Sequence, residues 1–368
     1  MRAGLFLLLP VMASAQTLTP TLLTPLNTAL NETSGLLYVN GEVWTHLDSG
    51  NGTELYRLDP GNGDVLRQVT VSNASNVDWE DMASDGSWLY IADVGNNSGA
   101  RTDLRVYRVA LDSLLDPDVV SVVADTIRFI YSDQIDFTPG PQANNWDCEA
   151  LIVKDDSLFL FTKRWLDSRT VLYAVPAAPG IHSAVRRDSL DAQGLITGAA
   201  FDPVNGSVAL IGYTNGLFVP FVWELSGFVG NAFFSASSVR RPLSLAFVQT
   251  EGIAWNDASA VLISNEQSPF SAARLWELQL GLATGSSAFA NEDLLIVPNP
   301  AASTVRVEGG IPGQRVRLLD LTGRVIREGV VDERGEIDLH QPADGMYLLE
   351  LVGNAHLRLM PLVIKGDR

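Results

Sequence analysis

Three glutamates that open short apolar runs are the residues best suited to chemistry in this chain. Glu80, Glu149 and Glu251 each begin a stretch typical of a β-strand, and a second strand-like run follows soon after each of them. Those second runs end in Asp93, Lys163 and Asn265. In an antiparallel hairpin, the start of the first strand lies beside the end of the second. The spacing therefore predicts that carboxylates, one lysine and one amide meet along a common rim.

The turns beside these strands add further polar side chains to the predicted rim. The candidates for catalysis are Glu80, Asp93, Glu149 and Lys163, and the candidates for holding a metal ion are Glu80, Asp93, Glu149 and Glu251. The expected ligand-binding residues are Asp78, Glu80, Asp81, Asn96, Asn97, Asp147, Glu251, Asn265 and Glu266. Glutamates that face one space repel each other unless a cation, a raised pKa or pairing compensates them. Calcium, which prefers oxygen ligands, is the predicted cofactor.

A structural role for the same carboxylates stays open. Each carboxylate can accept backbone N–H groups where two sheets meet and so hold the sheets together. Glu149 has an evident partner in Lys163, whereas Glu80 and Glu251 have none that the sequence reveals.

The elements that must position these residues recur five times between residues 34 and 278. Each repeat opens near a small or acidic residue and later reaches an aromatic residue in another strand. The openings are Ser34-Gly35-Leu36, Glu80-Asp81-Met82, Glu149-Ala150-Leu151, Thr197-Gly198-Ala199 and Glu251-Gly252-Ile253. The aromatics are Tyr56, Tyr107, Tyr173, Trp223 and Trp276. The regular recurrence of short strands predicts the blades of a β-propeller. One four-stranded unit cannot bury both of its faces alone, so several units must pack against each other.

The fifth repeat lacks an outer strand, and Leu18–Leu26 has strand character without a repeat of its own. We expect this segment to complete the last blade, which closes the ring and removes exposed sheet edges. The predicted fold is all-β: a five-bladed propeller followed by a small β-sandwich. Six blades remain the alternative if Asp112–Asp136 forms an irregular blade.

Four segments follow from this organisation. Residues 1–15 resemble a signal peptide, with Arg2, an apolar run from Leu5 to Pro10 and a small-residue cleavage site at Ala13-Ser14-Ala15. Residues 16–280 form the predicted propeller, 281–291 a linker rich in small residues, and 292–368 a C-terminal domain of short strands. No other segment is apolar for the length that a transmembrane helix needs.

The charge of the chain limits the class of partner. The formal net charge of the 368 residues is −18. One arginine precedes residue 16, and residues 292–368 hold nine basic and twelve acidic residues, which leaves −16 for residues 16–291. Such a surface repels nucleic acid and anionic membranes, and it suits cations, basic ligands or plain solubility. The single cysteine, Cys148, excludes an internal disulfide.

The C-terminal segment contains motifs in a specific order. They are Val297-Pro298-Asn299-Pro300, then Asp320-Leu321-Thr322-Gly323-Arg324, Ile337-Asp338-Leu339 and Gly345-Met346-Tyr347. The segment resembles the type A C-terminal sorting domain of type IX secretion cargo. The resemblance implies passage across the inner membrane by the leader and recognition by the type IX machinery at the outer membrane. It also implies removal of the domain, with the cargo released or attached to the cell surface. An immunoglobulin-like adhesion module is the alternative.

A second resemblance is concentrated in residues 78–175. It rests on Asp78-Trp79-Glu80-Asp81-Met82-Ala83, Leu89–Asn97, Val106–Val109, Phe129–Tyr131, Asp147–Leu151 and Leu158–Lys163. These stretches are similar to secreted bacterial propellers of the phytase-like and esterase-like kind. The resemblance implies an acidic rim that holds calcium and, in active relatives, a phosphate ester. This chain departs from them in having few basic residues nearby, namely Arg101, Arg105, Lys163 and Arg164.

Three functions follow as expectations, and one of them is a purely structural role at the cell surface. The first is a secreted or surface-displayed propeller that binds an unidentified ligand on its acidic rim without catalysis. The second is a calcium-dependent hydrolase, a phosphoesterase or an esterase, with its site on the same rim. No two-histidine zinc spacing and no Gly-x-Ser-x-Gly elbow occur in the sequence.

Overall fold

A computed structural model describes residues 16–256, 259–280, 295–308, 313, 315–320, 324–332, 334–340, 342–352 and 357–365. The predicted leader and the predicted linker lie outside these residues. The chain divides into two compact units, with the boundary after Thr284. Both units are built from β-strands, so the all-β prediction is confirmed.

The first unit contains twenty-one strands among its described residues. In chain order they are β1 (Thr21–Pro25), β2 (Thr33–Val39), β3 (Glu42–Leu47), β4 (Glu54–Leu58), β5 (Val65–Val71), β6 (Trp79–Ser84), β7 (Trp88–Asp93), β8 (Arg105–Ala110), β9 (Ser121–Val122), β10 (Asp125–Tyr131), β11 (Asp147–Lys154), β12 (Ser157–Lys163), β13 (Thr170–Pro176), β14 (Gly180–Leu190), β15 (Leu195–Asp202), β16 (Ser207–Tyr213), β17 (Pro220–Ser226), β18 (Ser237–Pro242), β19 (Thr250–Trp255), β20 (Ala260–Asn265) and β21 (Arg274–Gln279). A 3₁₀ turn spans Thr28–Leu30, and a short helix, α1, spans Leu111–Leu115.

These strands form five groups, in which neighbours are antiparallel except for the parallel pair of β5 and β9. Their hydrogen-bonded orders are β2-β3-β4-β5-β9, β6-β7-β8-β10, β11-β12-β13-β14, β15-β16-β17-β18 and β19-β20-β21-β1. The last order confirms that the N-terminal segment completes the fifth group, since β1 pairs with β21 from Thr21↔Glu277 to Pro25↔Arg274. Residues 112–136 contain most of α1 together with β9 and β10, which join the first and second groups.

The second and third groups share one eight-stranded sheet, which the sequence analysis did not anticipate. The eleven-residue strand β14 is long enough to pair twice. Its first half pairs in parallel with β10, from Ile127↔Gly180 to Tyr131↔Ala184, and its second half pairs with β13. The outer strand of the fourth group, β18, ends at Pro242.

The first strand of each group is the innermost one. These strands contact each other in the order β2, β6, β11, β15 and β19, and β19 contacts β2 again. A hydrogen bond from Ser264 Oγ to the Ser34 carbonyl (3.4 Å) also joins the last group to the first. The innermost strands therefore surround a common axis.

Five apolar clusters lie between successive groups. One of them packs Trp44 and Leu55 of the first group against Trp79 and Leu89 of the second. Similar clusters join the second group to the third, the third to the fourth and the fourth to the fifth. The remaining cluster joins the fifth group to the first, through residues such as Leu262 and Val43. Burial of apolar surface between neighbours thus continues around the whole axis.

The second unit has seven strands among its described residues. They are β22 (Leu295–Val297), β23 (Thr304–Glu308), β24 (Arg315–Leu319), β25 (Val325–Val330), β26 (Glu336–Asp338), β27 (Gly345–Val352) and β28 (Leu357–Ile364). Their orders are β22-β23-β26 and β25-β24-β27-β28. Val305 and Ile337 of the smaller sheet share one buried cluster with Leu318, Leu349 and Leu362 of the larger sheet. The two sheets therefore enclose a single core.

The motif residues of the second unit hold its turns and its last strand in place. Asn299 Oδ1 accepts the backbone N–H of Val363 (2.9 Å). Asp320 accepts the N–H of Arg324 through its side chain (3.1 Å) and donates its own N–H to the Arg324 carbonyl (3.0 Å). Tyr347 Oη donates to the Ala343 carbonyl (2.9 Å).

Candidate functional site

A β-bulge interrupts the innermost strand of every group at the same place. The pairing register shifts across Ser34-Gly35 in β2, Glu80 in β6, Glu149 in β11, Thr197 in β15 and Glu251-Gly252 in β19. A bulge breaks the alternation of side chains and re-aims the unpaired residue. The five openings seen in the sequence are therefore the positions whose side chains the bulges redirect.

Two of these five side chains are hydroxyls that bind the neighbouring strand. Ser34 Oγ donates to the Glu80 carbonyl (2.5 Å), and Thr197 Oγ1 donates to the Thr250 carbonyl (2.6 Å). The glycine after Thr197 allows this close approach, since a Cβ at Gly198 would lie 2.3 Å from the Glu251 carbonyl oxygen. The three remaining positions hold the glutamates.

The three glutamates line a cavity of about 160 Å³ at one end of the axis. Its lining residues are Thr33, Ser34, Asp48, Glu80, Asn97, Gln142, Glu149, Lys163, Trp165, Tyr213, Gln249, Glu251 and Glu266. The side chains of Glu80, Glu149 and Glu251 are buried, whereas Asn97 and Gln142 are exposed. We call this space the axial cavity.

Lys163 neutralises one of the three glutamates. Its Nζ lies 2.7 Å and 2.6 Å from the two carboxylate oxygens of Glu149. The same Nζ lies 4.8 Å from the centre of the Trp165 ring and 5.4 Å from that of Tyr213, within the range of cation–π attraction. Burial alone would lower the pKa of Lys163, but the Glu149 carboxylate raises it well above its usual value. The lysine is therefore a fixed positive charge in the cavity.

Glu80 and Glu251 have no comparable partner. Within the part of the chain that the structure describes, neither carboxylate accepts a hydrogen bond, although the residues are only 5% and 8% exposed. Burial, followed by repulsion from Glu149 and Asp48, raises the pKa of Glu80 well above its usual value. Burial also raises the pKa of Glu251, and the nearby Lys163 only partly opposes this rise. Both side chains therefore lack compensation for a negative charge.

Five carboxylates form two overlapping groups on one side of the cavity. Oxygens of Asp48, Asp78 and Glu80 lie within 4.8 Å of one another, as do oxygens of Glu80, Asp147 and Glu149. Glu80 belongs to both groups. Burial, with repulsion from Asp48 and Asp147, raises the pKa of Asp78 to about 7. This donor set of carboxylate oxygens suits a hard divalent cation such as calcium.

Asp81 lies outside the cavity lining and has a structural role. Its Oδ1 accepts the N–H of Met82 (2.8 Å), and its Oδ2 accepts the N–H groups of Leu151 (2.8 Å) and Ala199 (3.1 Å). This one buried carboxylate thus joins β6, β11 and β15 at the axis. The structural alternative raised from the sequence describes this residue, whereas we had expected it among the ligand-binding residues.

Five other predicted site residues also lie outside the cavity lining: Asp78, Asp93, Asn96, Asp147 and Asn265. Asp147 accepts the N–H of Asn96 (2.7 Å) and the indole N–H of Trp165 (2.8 Å). Asp93 pairs with Arg101 (3.0 Å) and Arg105 (3.4 Å) and accepts the N–H of Asp78 (3.0 Å). Asn96 accepts the N–H of Arg101, and Asn265 bonds the indole N–H of Trp276 and the Ala272 carbonyl. These residues support the walls of the site and do not line the cavity.

The structure adds residues that the sequence analysis did not place in the site. Asp48 belongs to a Gly-rich turn between β3 and β4. Tyr213 ends β16 as Lys163 ends β12, so equivalence between repeats was the signal that could have found it. Gln142 and Gln249 lie in connections between groups, where no sequence pattern marked them.

Comparison with protein families identifies the second unit. Residues 295–365 match the model described as "Secretion system C-terminal sorting domain". The second unit is a sorting domain. The sorting domain implies handling by the type IX secretion machinery and export to the outer surface or beyond the cell, which confirms the predicted localisation. Among the described residues, no helix combines the length and apolar character that a membrane crossing needs.

Two other comparisons concern curated protein sequences and solved structures. No curated protein sequence matches the chain. Similar solved structures include hydrazine synthase of Kuenenia stuttgartiensis (11% identity, 72% of this chain and 60% of that one, TM-score 0.32). A putative 6-phosphogluconolactonase of Bacteroides uniformis is also similar (13% identity, 93% of this chain and 85% of that one, TM-score 0.34). So is an exo-β-1,3-galactanase of Phanerochaete chrysosporium (10% identity, 92% of this chain and 79% of that one, TM-score 0.45). The chain spans less than two thirds of the synthase chain. At these TM-scores the likenesses support no argument about function.

Proposed function

We propose that residues 16–280 form a five-bladed β-propeller, residues 281–291 a linker and residues 292–368 the sorting domain, after a signal peptide at residues 1–15. Five groups of strands, five apolar clusters between successive groups and the return contact from β19 to β2 support the propeller. Residues 112–136 contribute to the first and second groups, which favours five blades over six.

We propose that this exported propeller binds a ligand in its axial cavity and holds calcium there. The proposal rests on one observation: Glu80 and Glu149 are buried, and their carboxylate oxygens lie within 4.8 Å of each other and of an Asp147 oxygen. Buried like charges raise the free energy of the folded state unless protons or cations compensate them. Lys163 supplies a single positive charge, and it is already bound to Glu149.

The residues present fit a calcium ion. Asp48, Asp78, Glu80, Asp147 and Glu149 would hold it, and calcium takes six to eight oxygen ligands in flexible geometry. The Glu251 carboxylate, which the sequence analysis included among the metal ligands, belongs to neither of the two carboxylate groups. When bound, calcium supplies positive charge that can orient an anionic or hydroxyl-bearing ligand. The exposed Asn97 and Gln142 lie where such a ligand enters.

Calcium titration calorimetry on the full chain tests the proposal. We expect one calcium ion per chain with a Kd of roughly 10⁻⁶ to 10⁻³ M, the range of sensor and extracellular sites. Glu80→Gln should weaken binding at least tenfold, because Glu80 belongs to both carboxylate groups. Glu328→Gln makes the same chemical change on an exposed strand of the sorting domain and should leave the Kd unchanged. Equal affinity in the wild type and in Glu80→Gln would refute this site.

A calcium-dependent hydrolase is the second candidate, because one end of the axis brings carboxylates and a lysine together in one cavity. Of the predicted catalytic residues, Glu80, Glu149 and Lys163 line the cavity, and Asp93 does not. Calcium-dependent turnover of a generic phosphate or acyl ester, lost in Glu80→Gln, would favour the hydrolase. Calcium binding without turnover would favour the binding protein.

A further inference from the structure

Part of the axial cavity wall is formed by residues that belong to neither carboxylate group. These residues are Tyr213, Gln249, Glu251 and Glu266. Among the residues that the structure describes, the oxygens of Glu251 and Glu266 belong to neither candidate metal group. Glu251 is 92% buried, faces the cavity and accepts no hydrogen bond there. A buried carboxylate of this kind is compensated by a proton or by a nearby positive charge, and a cationic ligand can supply that charge.

Lys163 indicates which kind of cation this wall stabilises. Its ammonium group is held by the Glu149 carboxylate and lies near the Trp165 and Tyr213 rings. A carboxylate beside aromatic faces is a recurrent environment for ammonium groups. Tyr213 lies in the same wall as Glu251, so the cavity offers a second carboxylate beside an aromatic ring that already attracts an ammonium group.

An exposed aromatic pair adjoins this wall. Phe247 and Phe270 are 50% and 75% exposed, and their ring centres lie 5.6 Å apart. Phe247 precedes the cavity residue Gln249 by two positions, and Phe270 follows Glu266 by four. The N–H of Glu266 donates to the Gln249 carbonyl (3.2 Å), which joins the two loops. We call Phe247 and Phe270 the aromatic shelf.

The backbone of Phe247 strengthens the case for a ligand surface. Its φ angle is 58°, in the left-handed region that non-glycine residues rarely adopt. Strained residues of this kind cluster at ligand-binding surfaces. The Phe247 side chain is half exposed, so it buries little apolar surface within the protein. Contact with an apolar group of a ligand would bury the rest of that surface.

We propose that Glu251 and Glu266 bind the ammonium group of an organic amine whose apolar part lies on the aromatic shelf. This inference deepens the proposed function by naming the class of ligand. The cavity, at about 160 Å³, is close to the roughly 150 Å³ that holds a benzene molecule, so it admits an ammonium group with a few carbon atoms. A free amine and the amino terminus of a peptide share this chemistry. The net charge of −18 favours the approach of either cation.

Calorimetry with 2-phenylethylamine as the probe tests the inference, with saturating calcium throughout. We expect binding of the amine and at least tenfold weaker binding of 2-phenylethanol, which has the same ring without the charge. Glu251→Gln should weaken amine binding at least tenfold, and Glu328→Gln should not change it. Phe270→Ser should weaken binding of 2-phenylethylamine and leave that of ethylamine unchanged. Equal binding of the alcohol and the amine would overturn the inference, as would full affinity in Glu251→Gln.

Peptides distinguish the two sources of the ammonium group. The peptide Phe-Gly-Gly is compared with its N-acetylated form and with 2-phenylethylamine. Tighter binding of the free peptide than of 2-phenylethylamine supports a peptide ligand. Tighter binding of 2-phenylethylamine supports a free amine. Equal binding of the acetylated and free peptides would contradict recognition of the ammonium group. If Glu251→Gln does not fold, the half-buried Glu266→Gln replaces it.

The outcomes separate this inference from the calcium proposal. Amine binding that depends on Glu251, without any calcium binding, would refute only the calcium site. Calcium binding that depends on Glu80, without amine binding, would refute only the present inference.

Discussion

Without divalent cations, the free energy of unfolding of the propeller unit is expected to fall by roughly 2 to 3 kcal/mol between pH 6.5 and 8. Each unit of pKa shift corresponds to about 1.4 kcal/mol, and this range allows for solvent screening of the partly exposed groups. Asp78 and Glu266 have a pKa raised to about 7, mainly by burial, and the pKa values of Glu80 and Glu251 are raised further. A raised carboxyl pKa stabilises the folded state below the unfolded pKa, and this stability is lost as pH rises through the folded value.

Other titrating groups fall into two classes. The pKa of His46 is lowered to about 4 by burial, so His46 reduces stability only as pH falls below about 6.5. Burial opposes ionisation of Asp103 and Asp167, but neighbouring arginines outweigh it and lower the pKa values of both carboxyls, so they act at acidic pH. Burial raises the pKa values of Asp81, Asp93 and Glu224, which lie outside the axial cavity, so these carboxyls add to the slope. The part of the slope that calcium changes reports the carboxylates that bind it.

Calcium should reverse this slope. A bound cation favours the ionised carboxylates, so calcium affinity rises with pH as fewer protons must be displaced. Guanidinium unfolding followed by tryptophan fluorescence measures the effect in the propeller unit, because all eight tryptophans lie between residues 44 and 276. With a chelator, we expect the free energy of unfolding to fall as pH rises. With excess calcium, we expect it to stay level or to rise with pH. The same slope in both conditions would contradict compensation by calcium.

The substitution Asp81→Ala is expected to destabilise the propeller unit by roughly 3 to 5 kcal/mol. Removal of the carboxylate leaves the N–H groups of Met82, Leu151 and Ala199 without an acceptor, and each unpaired buried group costs about 1 to 3 kcal/mol. The substitution also removes the desolvation penalty of a buried charge, which offsets part of the loss of stability. Asp81→Asn keeps one side-chain oxygen as an acceptor, so its free energy of unfolding should lie between those of Asp81→Ala and the wild type.

Unfolding in guanidinium, again followed by tryptophan fluorescence, measures the change. Asp64→Ala is the matched control, since Asp64 is an exposed turn residue whose side chain bonds nothing among the described residues. We expect the control to change stability by less than about 0.5 kcal/mol, the usual range for surface positions. A similar effect in both variants would show that Asp81 does not join the three innermost strands.

The repeats made much of the first unit predictable. Four strands in each group, to which the first group adds the two-residue strand β9, follow from strand periodicity. The completion of the last group by residues near Leu22 follows from the need to avoid an open edge. The eight-stranded sheet was not predictable, because the double pairing of β14 depends on how two groups approach each other. Sequence patterns fix which face of a strand is apolar, and they do not fix contacts between distant strand edges.

The site was predictable in part for a related reason. Repeat position led to Glu80, Glu149, Glu251 and Lys163, because equivalent bulges place equivalent residues at the axis. Asp81 and Asp93 looked the same in sequence as the cavity carboxylates. Their roles differ because one meets three backbone N–H groups and the other meets Arg101 and Arg105. Apart from Met82, which follows Asp81 in β6, these partners come from other strands and from a loop, and no local spacing encodes them.

An anomalous-difference map of a crystal grown with calcium tests the central claim most directly. We expect one peak bounded by carboxylate oxygens of Asp48, Asp78, Glu80, Asp147 and Glu149, at the roughly 2.3 to 2.6 Å that calcium–oxygen bonds require. The same crystal form of Glu80→Gln should lose the peak. A well-ordered axial cavity without a peak at saturating calcium, or a peak at a different place on the molecule, would contradict the account.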